Sequence, residues 1–296
     1  MKRKYAIEKG IGVLHHPQIP ASRVLGAEIA RWLEARGYRA WQGSGWDEET
    51  VRAHIARLDL LIVLGGDGTI IRSARMGTHH QVPILGVKMG QLGFLAEAQP
   101  EEWEEKLAQV MRGEYWVEER MMLSAKLGRD GEHLQSFEAL NDVVVSRGGL
   151  ARVISLAAEV NGAPLTTYLG DGLIVSTATG CTAYSLACGG PILPPELRNI
   201  LLVPIAPHLS LDRAIVLADG ATISINVSTD HAAILTVDGQ SAVDLADGDR
   251  VLVQASSHTG LFVRTQERGY FYRTLMKRLS GSYALRNADE EGQKEG

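Results

Sequence analysis

Residues 61–69 read Leu61-Ile62-Val63-Leu64-Gly65-Gly66-Asp67-Gly68-Thr69. An apolar run of strand length enters a glycine cluster that holds one acid, and helical spacing resumes over Ile70–Met76. At the carboxyl end of a parallel strand, such a turn is where open α/β sheets place their ligands. Glycines let the backbone approach a phosphate, and the first N–H groups of the following helix face its charge. A carboxylate among phosphates needs a reason, either a metal or a proton to accept. Asp67 is therefore a candidate general base for a hydroxyl nucleophile. The turn alone reads equally well as a plain strand-to-helix connection with Asp67 as the helix N-cap.

The flanks repeat the strand–helix alternation. Ile11–Leu14, Tyr38–Trp41, Leu58–Leu64 and Pro83–Val87 read as strands, and Ser22–Arg36, Asp47–Arg57 and Pro100–Met111 as helices. Buried strands alternating with amphipathic helices predict a parallel, Rossmann-like sheet covered on both faces. From about Glu118 the pattern becomes short strands punctuated by Asp130-Gly131, Asn161-Gly162, Asp219-Gly220, Asp238-Gly239 and Asp247-Gly248, which are tight-turn signals. One helix, Thr182–Cys188, interrupts this mostly-β block, and Tyr270–Leu279 is helical again. The expected organisation is an α/β domain over residues 1–118, to which 271–296 return, and a mostly-β domain over 119–270.

Composition limits the function. The 296 residues carry 30 Lys plus Arg against 35 Asp plus Glu, a net charge of −5. That mild acidity argues against a nucleic-acid coat. Glycine is enriched, at 32 residues, or about 11% against a usual ~7%. No apolar run reaches the ~18 residues of a membrane span, and the basic start lacks the apolar core of a signal peptide. Cys181 and Cys188 are the only two cysteines. Seven residues apart on one helix, they would stand about 10 Å apart along its axis, too far for a disulfide. A reducing cytoplasm is the expectation.

Two further segments carry chemistry. Gly170-Asp171-Gly172 opens an apolar strand that ends in Ser176-Thr177-Ala178-Thr179-Gly180-Cys181 and feeds Thr182-Ala183-Tyr184-Ser185-Leu186-Ala187 before Gly189-Gly190-Pro191. Hydroxyls and helix-start N–H groups suit a pyrophosphate, and Tyr184 offers a ring or hydroxyl to a base or sugar. A Thr-capped core helix is the alternative. Asn141-Asp142, ahead of Val143–Val145, pairs an amide with a carboxylate; it reads as a base-edge and ribose contact or as an ordinary turn. Asp238-Gly239-Gln240 has the same ambiguity. The pairs His15-His16 and His79-His80 lack metal-ligand spacing.

Taken in order, these segments resemble the NAD kinase family, over about Leu58 to Leu279. Gly86–Leu95 and Pro204–His208 also look like family segments. The Gly-Gly-Asp-Gly turn is shared with lipid kinases and phosphofructokinases; the Thr-Ala-Tyr block is the discriminating part. The resemblance implies phosphorylation of the 2′-hydroxyl of the adenosine ribose of NAD, with ATP as donor and a divalent metal, Mg²⁺, on the nucleotide phosphates. It implies Asp67 as proton acceptor. Around the dinucleotide and phosphates it implies Gly68, Arg72, Asn141, Asp142, Arg152, Asp171, Thr182, Ala183, Tyr184, Ser185, Leu186, Ala187 and Gln240. A homo-oligomer, dimer or tetramer, is expected. Departures from the family pattern are Asp142 for Glu, Cys181 for Ser, Ala187 for Ser and Lys88 for Asn. Cys181 reads as a small tolerated substitute for Ser, or, at a helix start, as a thiol made unusually acidic. A lipid kinase built on the same turn and a non-catalytic dinucleotide sensor are the competing readings.

Overall fold

The structure is a computed structural model that describes residues 7–276, except 9, 91, 92, 150, 151, 209 and 210. The chain divides into two compact units. One holds the residues up to Glu119 together with those from Leu261 onward, and the other holds Arg120–Gly260.

In the first unit, strands β1 (Ile11–His15), β2 (Ala40–Ser44), β3 (Leu60–Gly65) and β4 (Ile84–Lys88) are parallel, in the order β2-β1-β3-β4. Helices α1 (Pro20–Glu34), α2 (Glu48–Ile55) and α3 (Asp67–Thr78) connect them, and α4 (Trp103–Met111) follows β4. One face of the sheet packs Ile11, Val13, Ile62, Leu64, Leu85 and Val87 against Ile29 and Leu33 of α1 and Leu107 and Val110 of α4. On the opposite face a Cβ on Gly86 would crowd Ile70 of α3, so glycine lets that helix lie close to the strand. Every residue of β3 is buried, as expected of a central strand covered on both sides.

Beside Ile84, and parallel to it, lies Phe262, in the last part of a long strand, Arg250–Arg264, labelled β16 once β5 to β15 are placed below. Arg264 ends that strand fully buried. Its Nε donates to Glu118 (2.9 Å), and its Nη1 donates to Leu95 O (2.9 Å) and lies 3.4 Å from Glu97. Tyr270 donates to Glu118, and Glu97 accepts from Thr265 and from the Gln266 N–H. Burial alone would lower the Arg264 pKa; the charges of Tyr270, Glu118 and Glu97 reverse that and raise it. Helix runs over residues 270–276. The rest of the expected helix to Leu279, and the tail beyond it, lie outside the described residues.

The strands of the second unit are β5 (Trp116–Arg129, entering from the first unit), β6 (Glu132–Ala139), β7 (Asp142–Arg147), β8 (Ile154–Val160), β9 (Ala163–Gly170), β10 (Gly172–Thr177), β11 (Asn199–Ile205), β12 (Ile215–Ala218), β13 (Thr222–Ser228), β14 (Ala233–Val237) and β15 (Ser241–Leu245). Among the described residues β6 to β15 pair antiparallel. Six of them form a sheet in the order β12-β11-β10-β7-β14-β15. Its inner face (Val143, Val145, Leu173, Val175, Leu202, Leu235) packs against Leu156, Ile223, Ile225, Val251 and Val253 of β8, β13 and β16. The alternate residues Val144, Ile174, Leu201 and Val203 face outward and are covered by Cys181, Cys188 and Leu193. That period-2 alternation is the pattern of a strand buried on both faces by different neighbours.

The expected fold class, an α/β part and a mostly-β part, is the observed one. Three local expectations are corrected. The strand read at Tyr38–Trp41 lies at Ala40–Ser44, and the helix read from Pro100 begins at Trp103. The helix read at Thr182–Cys188 is not continuous: a 3₁₀ turn spans Gly180–Thr182, Ala183 is non-helical (φ −96°, ψ −130°), and four residues, Tyr184–Ala187, form α5. The two cysteines therefore do not share a helix. Both are free.

Candidate functional site

In the first unit the site is built on the turn after β3. Gly66, not Asp67, is the N-cap of α3, and Asp67 is the first residue of the helix. This corrects the capping alternative. The Asp67 side chain instead accepts the Phe94 N–H (2.8 Å), with Lys88 Nζ 3.7 Å from its other oxygen. A Cβ on Gly93 would collide with the Asp67 carboxylate; glycine there admits the acid. Gly68 is the second residue of α3. Arg72, one turn on, is bonded to Glu48 (2.8 Å) and stacks its guanidinium 4.8 Å over Trp46.

In the second unit the Asn141-Asp142 turn is fastened from a distant hairpin. Asp238 and Gly239 both take positive φ (52° and 62°) between β14 and β15, the conformation of a tight type I′ turn. That turn aims the Asp238 carboxylate at three successive N–H groups, of Leu140 (3.0 Å), Asn141 (2.7 Å) and Asp142 (3.2 Å). Gln240 closes the same turn by donating its N–H to Val237. On the other side Ser176 and the Thr177 N–H donate to Asn141 O, and Thr177 Oγ1 donates to Leu140 O (2.6 Å). A Cβ on Gly180 would strike the Asn141 carbonyl. Asp142 is buried, and burial followed by the Asp238 charge pushes its carboxyl up to about 7.

Asp171 stands at the other end of the β7–β10 ladder, where Ser146 faces Gly172. The length of β7 puts it about 17 Å from Asp142. Arg147 grips Asp171 through two bonds (2.6 and 3.1 Å), and the charges of both act on Tyr184. The 178–187 segment thus runs back along the outer face of the sheet, from Asn141 toward Asp171. Along it Thr182 donates to Thr179 O (3.4 Å); Ala183, Tyr184 and Ala187 are exposed, and Leu186 is half-buried. Ser185 is buried with its hydroxyl lacking a partner among the described residues, and a Cβ on Gly190 would strike it. Arg152 stands apart. It is exposed and pairs with exposed Asp230 at 3.3 Å.

The family follows from both halves. Residues 23–115 match the model of the ATP-NAD kinase N-terminal domain, and residues 140–265 match that of its C-terminal domain. The chain belongs to the ATP-NAD kinase family. An NAD kinase of Chloroflexus aggregans is 41% identical over 272 residues, 92% of this chain and 99% of that one. An NAD kinase of Dehalococcoides mccartyi is 38% identical over 275 residues, 93% and 97%. Among solved structures, a yeast NADH kinase complexed with NADH matches with TM-score 0.78 and 26% identity, covering 91% of this chain and 87% of that one. An Archaeoglobus fulgidus NAD kinase in complex with ATP matches with TM-score 0.75 and 25% identity, covering 91% and 98%.

Four contacts of this kinase were not read from the sequence: Lys88 and Phe94 on Asp67, Asp238 under Asn141, and Arg147 on Asp171. Only Asp238 carried a local signal, its Asp-Gly turn. Of the two readings of Cys181, the acidic thiol is the one the structure does not favour. The thiol is buried, donates to Leu193 O (3.4 Å) and accepts the Leu193 N–H (3.1 Å), and burial pushes its pKa up rather than down.

Proposed function

We propose that this chain transfers the terminal phosphoryl group of ATP to the 2′-hydroxyl of the adenosine ribose of NAD, giving NADP, with Asp67 as the proton acceptor. What carries the reading is the turn after β3. There a carboxylate is steadied by one backbone N–H and faced by one ammonium, and its helix belongs to a family of NAD phosphotransferases. The acceptor hydroxyl has a very high pKa, so it need not ionise beforehand. The base takes the proton as the new oxygen–phosphorus bond forms, and positioning supplies most of the help.

Unit two supplies the dinucleotide contacts in this reading. Asn141 and Asp142 take the adenosine and its ribose, with Gln240 beside their turn. Asp171, Thr182, Ala183, Tyr184, Ser185, Leu186 and Ala187 line the strip along the sheet. Gly68 lies beside Asp67 against the dinucleotide, and Arg72 serves the phosphates, first having to exchange Glu48 for them. Arg152 serves only as a basic residue at the edge.

A divalent ion, Mg²⁺, supplies charge neutralisation on the donor's phosphates. No group of three or more His, Cys, Asp or Glu side chains with metal-binding placement stands among the described residues. In this reading the ion is held by the nucleotide phosphates, and the proton transfer to Asp67 does not depend on a protein ligand to it. We also read the protein as cytoplasmic and homo-oligomeric. Two free thiols favour a reducing compartment, and no helix among the described residues is long and apolar enough to cross a membrane.

The test is a donor-by-acceptor matrix on purified protein with Mg²⁺. NADP formed from NAD and ATP supports the reading. NAD binding without NADP would make the chain a sensor, and phosphorylation of a lipid alcohol instead would move it to the competing kinase class.

A further inference from the structure

Lys88 is the last residue of β4, opposite Gly65 of β3 in the parallel register. Its side chain is 11% exposed. A largely covered ammonium that still touches solvent keeps N–H donors to offer to an incoming anion. Among the described residues the ion-pair partner of Lys88 is Asp67, at 3.7 Å, too long for a hydrogen bond. Its tip lies 3.9 Å from where a Cβ of Gly66 would stand; any larger side chain there would crowd the ammonium. The cation thus stands over the glycine turn at the carboxyl end of two adjacent parallel strands, poised for an anion that is larger and closer than the carboxylate.

We propose that Lys88 is a catalytic residue, the cation that passes from Asp67 to the transferred phosphoryl group as the proton moves. The inference rests on the reading of Asp67 given above. In the transfer, the ribose oxygen bonds to the γ-phosphorus and the bond from that phosphorus to the bridging oxygen breaks. The leaving electron pair stays on the diphosphate, and the hydroxyl proton goes to Asp67. Protonation cancels the charge that held Lys88. At that moment negative charge is spread over the phosphoryl oxygens, and a lysine acts on such oxygens as a point charge with free donors. The exchange keeps one positive charge paired throughout. It also gives Lys88 more to hold in the transition state than in the resting enzyme, the condition for raising turnover rather than affinity.

The experiment compares the full chain with Lys88→Met and Lys88→Arg, measuring kcat, the KM values for NAD and ATP, and thermal stability. Wild-type NADP formation is recorded first. If it is absent, the reaction itself is misread and this proposal falls with it. With an active wild type, Lys88→Met is expected to lower kcat about 100-fold while both KM values stay within threefold. Lys88→Arg, which keeps the charge, is expected to recover kcat to within tenfold of wild type. An unchanged kcat in Lys88→Met overturns the proposal and leaves the reading of Asp67 standing. So does a loss confined to KM for ATP, or a loss that Lys88→Arg shares in full.

Discussion

Two acids sit at the ends of buried strands in this chain, Asp67 after β3 and Asp142 at the head of β7, and their surroundings treat charge in opposite ways. Asp67 accepts a backbone N–H and faces an ammonium. Asp142 is offered burial and a second acid, Asp238, whose own oxygens already take three N–H groups. The first arrangement holds a base ready. The second holds a carboxyl near neutrality, a state in which it can donate as well as accept toward a sugar hydroxyl. The same residue type at similar turns thus acquires different chemistry from its neighbours.

The sharpest way to break that contrast is Asp67→Asn. It is expected to cut turnover by three orders of magnitude or more, while NAD affinity stays within about tenfold, ~1.4 kcal/mol. Steady-state rates paired with calorimetric titration of NAD check it. Lost affinity with intact turnover would make Asp67 a positioning group.

Gly93→Ala probes the same acid from the far side. Its methyl would occupy the space of the Asp67 carboxylate, and a side chain can swing away where a backbone cannot. The fold should survive and the acid should move, costing about 100-fold in kcat. Circular dichroism and rates on one preparation separate the two effects. A fully active, stable variant would show that the position of Asp67 is not critical.

Asp142→Asn tests the other arm through pH. The carboxyl is raised from 3.8 to about 7 in the folded chain. Below pH 4 the folded and unfolded chains both hold the proton. Between 4 and 7 only the folded chain keeps it, so its contribution to stability falls as pH rises through that window. Above 7 the full penalty applies, on the order of 4 kcal/mol. The asparagine variant should therefore match wild type in melting temperature near pH 4 and exceed it at pH 8. Parallel melting curves across that range would remove the argument for a neutral Asp142.

How much of this was legible along the chain follows from the range of each interaction. The β3–α3 unit could be read because an apolar run, a glycine cluster and helical spacing lie within eighteen neighbouring positions, from Leu61 to Thr78. What holds Asp67 could not, because Phe94 is 27 residues away and Lys88 reaches it only through the pairing of β3 with β4. Asp238 lies 97 residues from Asn141; its turn was visible and its target was not. The 182–188 segment was misread for a related reason. Its small residues have a helical rhythm, but Gly180 must pass against the Asn141 carbonyl and Ser185 must fit under Gly190. The first of these contacts reaches across the fold and the second is local; between them Ala183 leaves the helical conformation.

The smallest expected effect belongs to the two thiols that flank that break. Cys181 is fully buried, bonded both ways to the Leu193 backbone and raised in pKa by burial, while Cys188 is half-buried and raised for the same first reason. A raised pKa leaves little thiolate near neutral pH, and the thiolate is the reactive form. Iodoacetamide at pH 7.5 should therefore label Cys188 slowly, and Cys181 only once the chain unfolds. Mass spectrometry of native and urea-treated protein reads the order directly. Rapid native labelling of Cys181 would mean that the 178–193 cover lifts from the outer face of the sheet, and with it the strip that runs from Asn141 to Asp171. The inertness of one buried sulfur is in this way a measure of how rigidly the dinucleotide half is built.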